Sequence, residues 1–349
     1  MSALQTPKPV DTEQTTKLDL SCFDPLCLRK FYPQLQKTYL HFTPYSKAEI
    51  LKLIESKLCL DFAAENALMF NSLQSAYHHF LLKVFPPNTI FLTDRYTCHE
   101  VFKFLKNHGR KVIVFEHNHT PDLAKHLTLL GKNSPTKVIL TSTFYPSTGK
   151  SCDLNHIATL AKTSGGYLLV DDSASLGLSG MNSMGETSMA PGIDLVFSSL
   201  PASLSFSSCF VCVNSSFDLS THLEEIKSPT TAKLHMFYEL LSILPSLTRE
   251  RTHVNKLAAH LKELLSSHPW DIPSNNYPSL AISLNSSSLF STTVSNLQKQ
   301  GIVIPESAAK NSFLNYTSTL FFFLNSSLSP IDIEKIFSCF TPTMQVNCL

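Results

Sequence analysis

Residues 166–202 read GYLLVDDSASLGLSGMNSMGETSMAPGIDLVFSSLPA, and the fold is read outward from this stretch. An apolar run, Tyr167 to Val170, ends in the paired acids Asp171 and Asp172, and a second run, Leu195 to Phe197, follows about one crossover unit later. Short continuous apolar runs at that separation fit two buried parallel strands. In open α/β sheets ligand chemistry gathers at the carboxyl ends of such strands, which makes Asp171 the first candidate site residue.

The same alternation extends upstream. Ser46 N-caps an expected amphipathic helix through residue 60, with Ile50, Leu53, Ile54 and Leu58 at helical spacing. Strands follow at 67–70, 89–92, 111–115 and 137–141, and helices at 73–84, 99–106, 121–130 and 154–163. Strands separated by single helices imply a three-layer α/β fold with a mostly parallel sheet. From about residue 217 the pattern changes. Helices at 235–244 and 249–265, strands at 279–284, 302–304 and 319–324, and helices near 293–300 and 331–340 make a small α+β C-terminal part. The expected division is an arm at 1–40, a large domain at 41–235 and a small domain at 236–349, with residues 1 to about 20 read as a mobile polar stretch.

Composition narrows the function classes. The chain has 349 residues, 43% hydrophobic and 16% charged, with a net charge of +1. That length buries a large core, and the charge balance leaves no basic footprint for nucleic acid or an anionic membrane. The N-terminus lacks an apolar leader, and no run approaches the ~18 apolar residues of a spanning helix. A cytoplasmic protein is expected. Nine cysteines without CxxC or Cys/His spacing argue against a disulfide framework and against a zinc site. Ten glycines are few for a chain that cradles phosphate on glycine-rich loops.

The stretch VDDSASLGLSGMNSMG resembles the VD[DE]AHxxGxxGxxGxG pattern of the α-oxoamine synthases, the family of 8-amino-7-oxononanoate synthase within the fold-type I pyridoxal-phosphate (PLP) superfamily. The match runs without a gap through Val170, Asp171, Asp172, Gly177, Gly180 and Gly185. ALMFNS, DRY and FEHN within residues 65–119, and TSTFYPSTGK at 141–150, are similar to further family segments. The resemblance is clear over about residues 38–215. It implies the fold-type I transferase architecture, PLP as cofactor, decarboxylative condensation of an amino acid with an acyl thioester, and a site shared between two subunits of a homodimer. On the residue alone, Asp171 reads equally as a strand-end carboxylate capping the next loop. The family register makes it the counter-ion of the cofactor's ring nitrogen.

The resemblance also places residues that depart from the pattern. Counting from Asp194 through DLVFSSLPA puts Ala202 where the family has its Schiff-base lysine, and no lysine occurs between Lys162 and Lys227. Alanine carries no nucleophile. Cys98 falls on the histidine that stacks on the ring, Ala174 on the histidine that bonds the ring oxygen, and Ser72-Leu73-Gln74 on the phosphate-binding turn, with Leu73 in place of its glycine. Ser199 takes the place of a phosphate-contacting threonine, and Ser207 is a further candidate. The glycine-rich segment that helps build the family's substrate site is nearly absent between residues 41 and 46, and TSTLFFFLN at 317–325 lacks the arginine that grips a carboxylate.

Replacement chemistry is sparse. Neighbours Cys98 and His99 do not face each other on a helix, and His78 with His79, or His117 with His119, read as structurally paired or solvated rather than as metal ligands. The expected function is a homologue that has lost the lysine and most cofactor contacts, acting as a binding or partner protein. Its partner is a second copy or a homologous subunit, as in serine palmitoyltransferase heterodimers with one lysine-free chain. The alternative is an acyltransferase-like enzyme holding PLP or another phosphorylated ligand non-covalently.

Overall fold

The structure is a computed structural model, and it describes residues 18–41, 45–97, 99–131, 135–179, 185, 187, 192–200, 208–214, 226, 228–266, 268, 270, 272, 277–284, 286–305 and 319–340. The chain begins with β1 (Leu18–Asp19), a 3₁₀ turn (Leu28–Phe31), α1 (Tyr32–His41), α2 (Lys47–Phe62) and β2 (Asn66–Phe70). Next come α3 (Leu73–Tyr77) running into a π-helical stretch (His78–Val84), β3 (Ile90–Asp94), α4 (His99–Asn107), β4 (Lys111–Phe115) and α5 (Thr120–Leu130). β5 (Lys137–Ser142), the hairpin β6 (Phe144–Tyr145) and β7 (Lys150–Ser151), α6 (Leu154–Ser164), β8 (Tyr167–Asp171), β9 (Leu195–Ser199) and β10 (Cys209–Val213) complete the first part. The rest is α7 (Thr231–Ile243), α8 (Thr248–Leu265), β11 (Ser279–Ser283), α9 (Ser287–Lys299), β12 (Ile302–Val303), β13 (Thr319–Phe323) and α10 (Pro330–Ser338).

The local chemistry explains where these elements start and stop. Ser46 caps α2, as the sequence predicts, and does so in a reciprocal capping box with Glu49; Asp153 caps α6 through the His156 N–H. Gly165 ends α6 at φ 66°, a left-handed conformation open to glycine at no steric cost. At the end of the π-helical stretch the guanidinium of Arg110 donates to the carbonyls of Pro86, Leu82 and Phe85 at 2.5, 2.7 and 3.2 Å. Carbonyls at a helix end have no helical partner, and this buried arginine supplies one.

Seven strands form the central sheet in the order β2-β10-β9-β8-β5-β3-β4. All neighbours are parallel except at β10, which runs antiparallel to both β2 and β9. Successive side chains of a strand point to opposite faces, and β8 shows the result. Leu168 and Val170 join one apolar core with α2, α5, α6 and α7, whereas Leu169 joins a second with α3, the π-helical stretch and α4. Those two cores on either face make the three layers of an α/β protein, as the alternation of elements implies. A separate core unites α8, α9 and α10 with β11, β13 and β12. The line drawn at residues 235/236 falls inside α7, whose Leu234, Phe237 and Leu241 pack in the large core.

Among the differences from the sequence reading, two concern how the chain is tied together. Leu18–Leu20, read from composition as the end of a mobile arm, is anchored: Leu18 and Asp19 pair with residues 302–303 as a parallel strand, and Leu20 is fully buried. Backbone hydrogen bonds from Leu18 to Gly301 and from Leu20 to Val303 hold it in place. β10 is absent from the expected elements, because an antiparallel strand inserted beside β9 has no crossover helix to announce it.

Candidate functional site

The site is built at the carboxyl ends of β8 and β9. Asp171 closes β8, where its register partners are Ser142 of β5 and Phe197 of β9. Its Oδ1 accepts the backbone N–H of Ser173 at 3.0 Å, and its Oδ2 accepts the hydroxyl of Tyr77 at 3.1 Å. Tyr77 is the last residue of α3, buried, with its ring against Phe197 at 5.1 Å between centroids. Sequence reasoning passes over it: an aromatic on a helix after an apolar strand reads as core, and nothing in its spacing marks the hydroxyl.

Asp172, one residue on, is fully buried and has a different set of partners. Its carboxylate accepts the Ser175 hydroxyl, the Thr187 hydroxyl at 2.5 Å and the Thr187 N–H at 3.1 Å. Burial pushes its carboxyl up to about 6 against its ordinary 3.8, and the hydrogen bonds from Ser175, Thr143 and Thr187 only partly offset that. Gly185 lies against it at φ +108°, where a Cβ would come within 2.2 Å of Asp172 Oδ2. The glycine of the GMNSMG run is thus required by the close approach of a carboxylate.

The other site residues fall into two groups. Ser199, Ala174 and Asp171 meet around Ser173, whose hydroxyl accepts both the N–H and the hydroxyl of Ser199 at 2.9 and 3.1 Å. Ser173, Ala174 and Ser199 line a chamber of about 310 Å³, with Phe23, Pro25 and Leu26 also on its wall. Ser72 stands apart at the start of α3. Its hydroxyl accepts the Ser75 N–H, and its own N–H donates to the Ser75 hydroxyl, each at 3.2 Å. It opens onto a groove of about 700 Å³ between α3 and α4, lined also by His78, Lys103 and His108. Cys98, Ala202 and Ser207 lie outside the described residues, as does the side chain of His99.

Among the described residues, the groups that the resemblance assigns to a pyridoxal-phosphate site already have partners within the protein. The retained carboxylate, Asp171, already accepts a phenol and a backbone N–H. The hydroxyls of Ser72 and Ser199 donate to the hydroxyls of Ser75 and Ser173 at 3.4 and 3.1 Å. No lysine stands between Lys162 and Lys227 to form a covalent link.

A second cluster lies at the ends of β3 and β4. His117 Nδ1 meets Asp94 Oδ1 at 2.9 Å, and His117 Nε2 meets the Thr148 hydroxyl at 3.1 Å. Asp94 also accepts the N–H groups of Tyr96 and Asn118 at 2.8 and 2.9 Å. The imidazole is packed between the rings of Tyr96 and Tyr145, whose phenol is raised well above its ordinary range by burial. His117 is thus structurally paired, tying β3 and β4 to the β6–β7 hairpin. His119 N-caps α5 by accepting the Asp122 N–H, and His79 is buried against Phe70 and Phe80. Among the described residues no group of three or more His, Cys, Asp or Glu could hold a metal ion. β13, in the segment without the arginine, packs Leu320 and Phe322 in the small core.

Comparison with known proteins agrees with this architecture. The family described as aminotransferase class I and II matches residues 34–306. The 8-amino-7-oxononanoate synthase of Chlorobaculum parvum (strain DSM 263 / NCIMB 8327) is 22% identical over 232 residues, 64% of this chain and 59% of the relative. The chain spans less than two thirds of the curated relatives it matches. Among solved structures, SPT with a PLP internal aldimine superposes with a TM-score of 0.80 at 17% identity, over 95% of this chain and 88% of that one. The 8-amino-7-oxononanoate synthase of Francisella tularensis superposes with a TM-score of 0.79 at 15% identity, over 96% and 99%. No helix among the described residues is long and apolar enough to cross a membrane. With a family match over most of its length and this sheet order, the chain belongs to the aminotransferase class I and II family, on the fold-type I architecture of PLP enzymes.

Proposed function

We propose that this family member does not run Schiff-base chemistry and serves as a binding or partner protein. One observation carries the reading: Lys162 is followed by no lysine before Lys227, and Ala202 stands at the position that the family register gives to the lysine. Without an amine there is no internal aldimine and no covalent hold on an aldehyde cofactor. The internal partners of Asp171, Ser72 and Ser199 support the same conclusion.

The partner is a second copy of this chain or a homologous subunit. A cytoplasmic setting suits the cysteines, since all seven that are described are free. The test is to incubate purified protein with PLP, record the absorbance, and reduce with borohydride before mass spectrometry. No aldimine band and no reduced adduct are expected, and a stoichiometric adduct on one lysine would sink the reading. Ala202→Lys alone is expected to restore no synthase turnover, because the ring-contacting histidines are also absent.

A second reading, a working enzyme that binds a phosphorylated ligand without a covalent bond, is favoured by the groove of about 700 Å³ lined by Lys103, His78 and His108. It requires saturable binding of PLP or inorganic phosphate that Lys103→Ala weakens. Equilibrium dialysis decides between the two.

A further inference from the structure

We propose that Tyr77 is the resident partner of Asp171, its phenol holding one of the two carboxylate oxygens that a ligand's ring N–H could use. On this view Asp171 is a structural anchor closed to pyridinium-like ligands.

The geometry supports the assignment from both sides. The phenol has one hydrogen to give, and it points at Oδ2 from 3.1 Å. Oδ1 is held at the same time by the Ser173 N–H at 3.0 Å. Each carboxylate oxygen therefore has a donor, and a third group would have to share an oxygen with the Ser173 N–H or with the Tyr77 phenol. A hydrogen bond to an ionised acceptor is also among the stronger ones in a protein.

Tyr77 is not a side chain that swings aside. It is 6% exposed and its ring packs on Phe197. The helix that carries it is fixed at one end by the reciprocal Ser72 and Ser75 bonds, and its π-helical continuation is capped by Arg110. The bond links α3 to β8 across 94 residues of sequence. Asp171 thus has a use, pinning a helix to a strand end, that needs no ligand.

This inference rests on the non-catalytic reading, but its test is separate. The probe is pyridoxamine 5′-phosphate, which carries no aldehyde and so does not depend on a lysine. Binding to the full chain is measured by calorimetry for the parent, Tyr77→Phe, Asp171→Asn and the double variant, with circular dichroism as the control for folding. Tyr77→Phe keeps the ring packing and removes the donor. It is expected to bind at least about tenfold more tightly than the parent, and Asp171→Asn is expected to abolish that gain. Equal affinity of parent and Tyr77→Phe, whether both bind or neither does, overturns the proposal. So does a gain that survives Asp171→Asn, which would place the ligand elsewhere. A covalent adduct with PLP would instead sink the non-catalytic reading and leave this result standing.

Discussion

At the carboxyl end of β3, Asp94 accepts from an imidazole and two backbone N–H groups; at the carboxyl end of β8, Asp172 accepts from hydroxyls and one N–H. Both carboxylates are buried, at 2% and 0% exposure, yet their partners differ in kind. The ring that meets Asp94 is itself packed between Tyr96 and Tyr145, whereas Asp172 is met by the neutral hydroxyl dipoles of Ser175 and Thr187. Neutral donors leave the desolvation cost of Asp172 incompletely offset, which is why its carboxyl rises to about 6. The strand end with the family's aspartate pair thus carries an electrostatic load.

The largest effect expected is at Gly185. Gly185→Ala forces a Cβ toward Asp172 Oδ2 at a backbone φ of +108°, and a loss of roughly 4 kcal/mol is expected in urea unfolding. A cost near zero would mean that the β8 end is not packed around this carboxylate. Next is the pH dependence. The folded state holds the Asp172 proton more tightly than the unfolded chain does, so ionisation is penalised in the folded state alone. The penalty is full above about pH 6 and fades as pH falls toward 4, worth up to about 3 kcal/mol. Melting temperatures of the parent and Asp172→Asn between pH 4 and 7.5 should therefore converge or cross at low pH, with the variant relatively favoured at high pH. A constant difference would remove the electrostatic load assigned to Asp172.

At the β3 end, His117→Ala removes the links to Asp94 and Thr148 together with the packing on Tyr96 and Tyr145. About 2 kcal/mol is expected, and Thr148→Val should add little once His117 is gone. The smallest effect belongs to the junction with the C-terminal part, where Tyr277 stacks on Phe144 at 4.1 Å and shares a hydrogen bond with Ser179. Tyr277→Phe keeps the stack and should cost about 1 kcal/mol. A larger cost there would show that the junction, rather than either strand end, limits stability.

Much of the fold is legible in the sequence because apolar runs and caps are local signals. The apolar run predicts Lys111–Phe115 with its observed bounds, and Ser46 reads as a cap without knowledge of its Glu49 partner. Strand order is not legible, since it depends on which runs pair across long separations. For the site, counting along the family pattern locates Asp171, Ser199 and Ala174, which the structure brings together around Ser173. Counting says nothing about what fills the space between positions. Tyr77 lies 94 residues from its partner, and only a folded chain brings the two into contact.

The parallel pairing of Leu18 and Asp19 with Ile302 and Val303 has a consequence for how the chain assembles. Leu20 further joins Phe323 and Val303 by backbone hydrogen bonds, and Pro25 joins Ser326. These contacts close loops of about three hundred residues, whose entropy must be lost before the contacts give anything back. During vectorial synthesis the large sheet has all its strands well before residues 302 and 323 leave the ribosome. Leu18–Leu20 is therefore made long before the strand it pairs with. Until the two meet, the C-terminal part lacks the strand that completes β12.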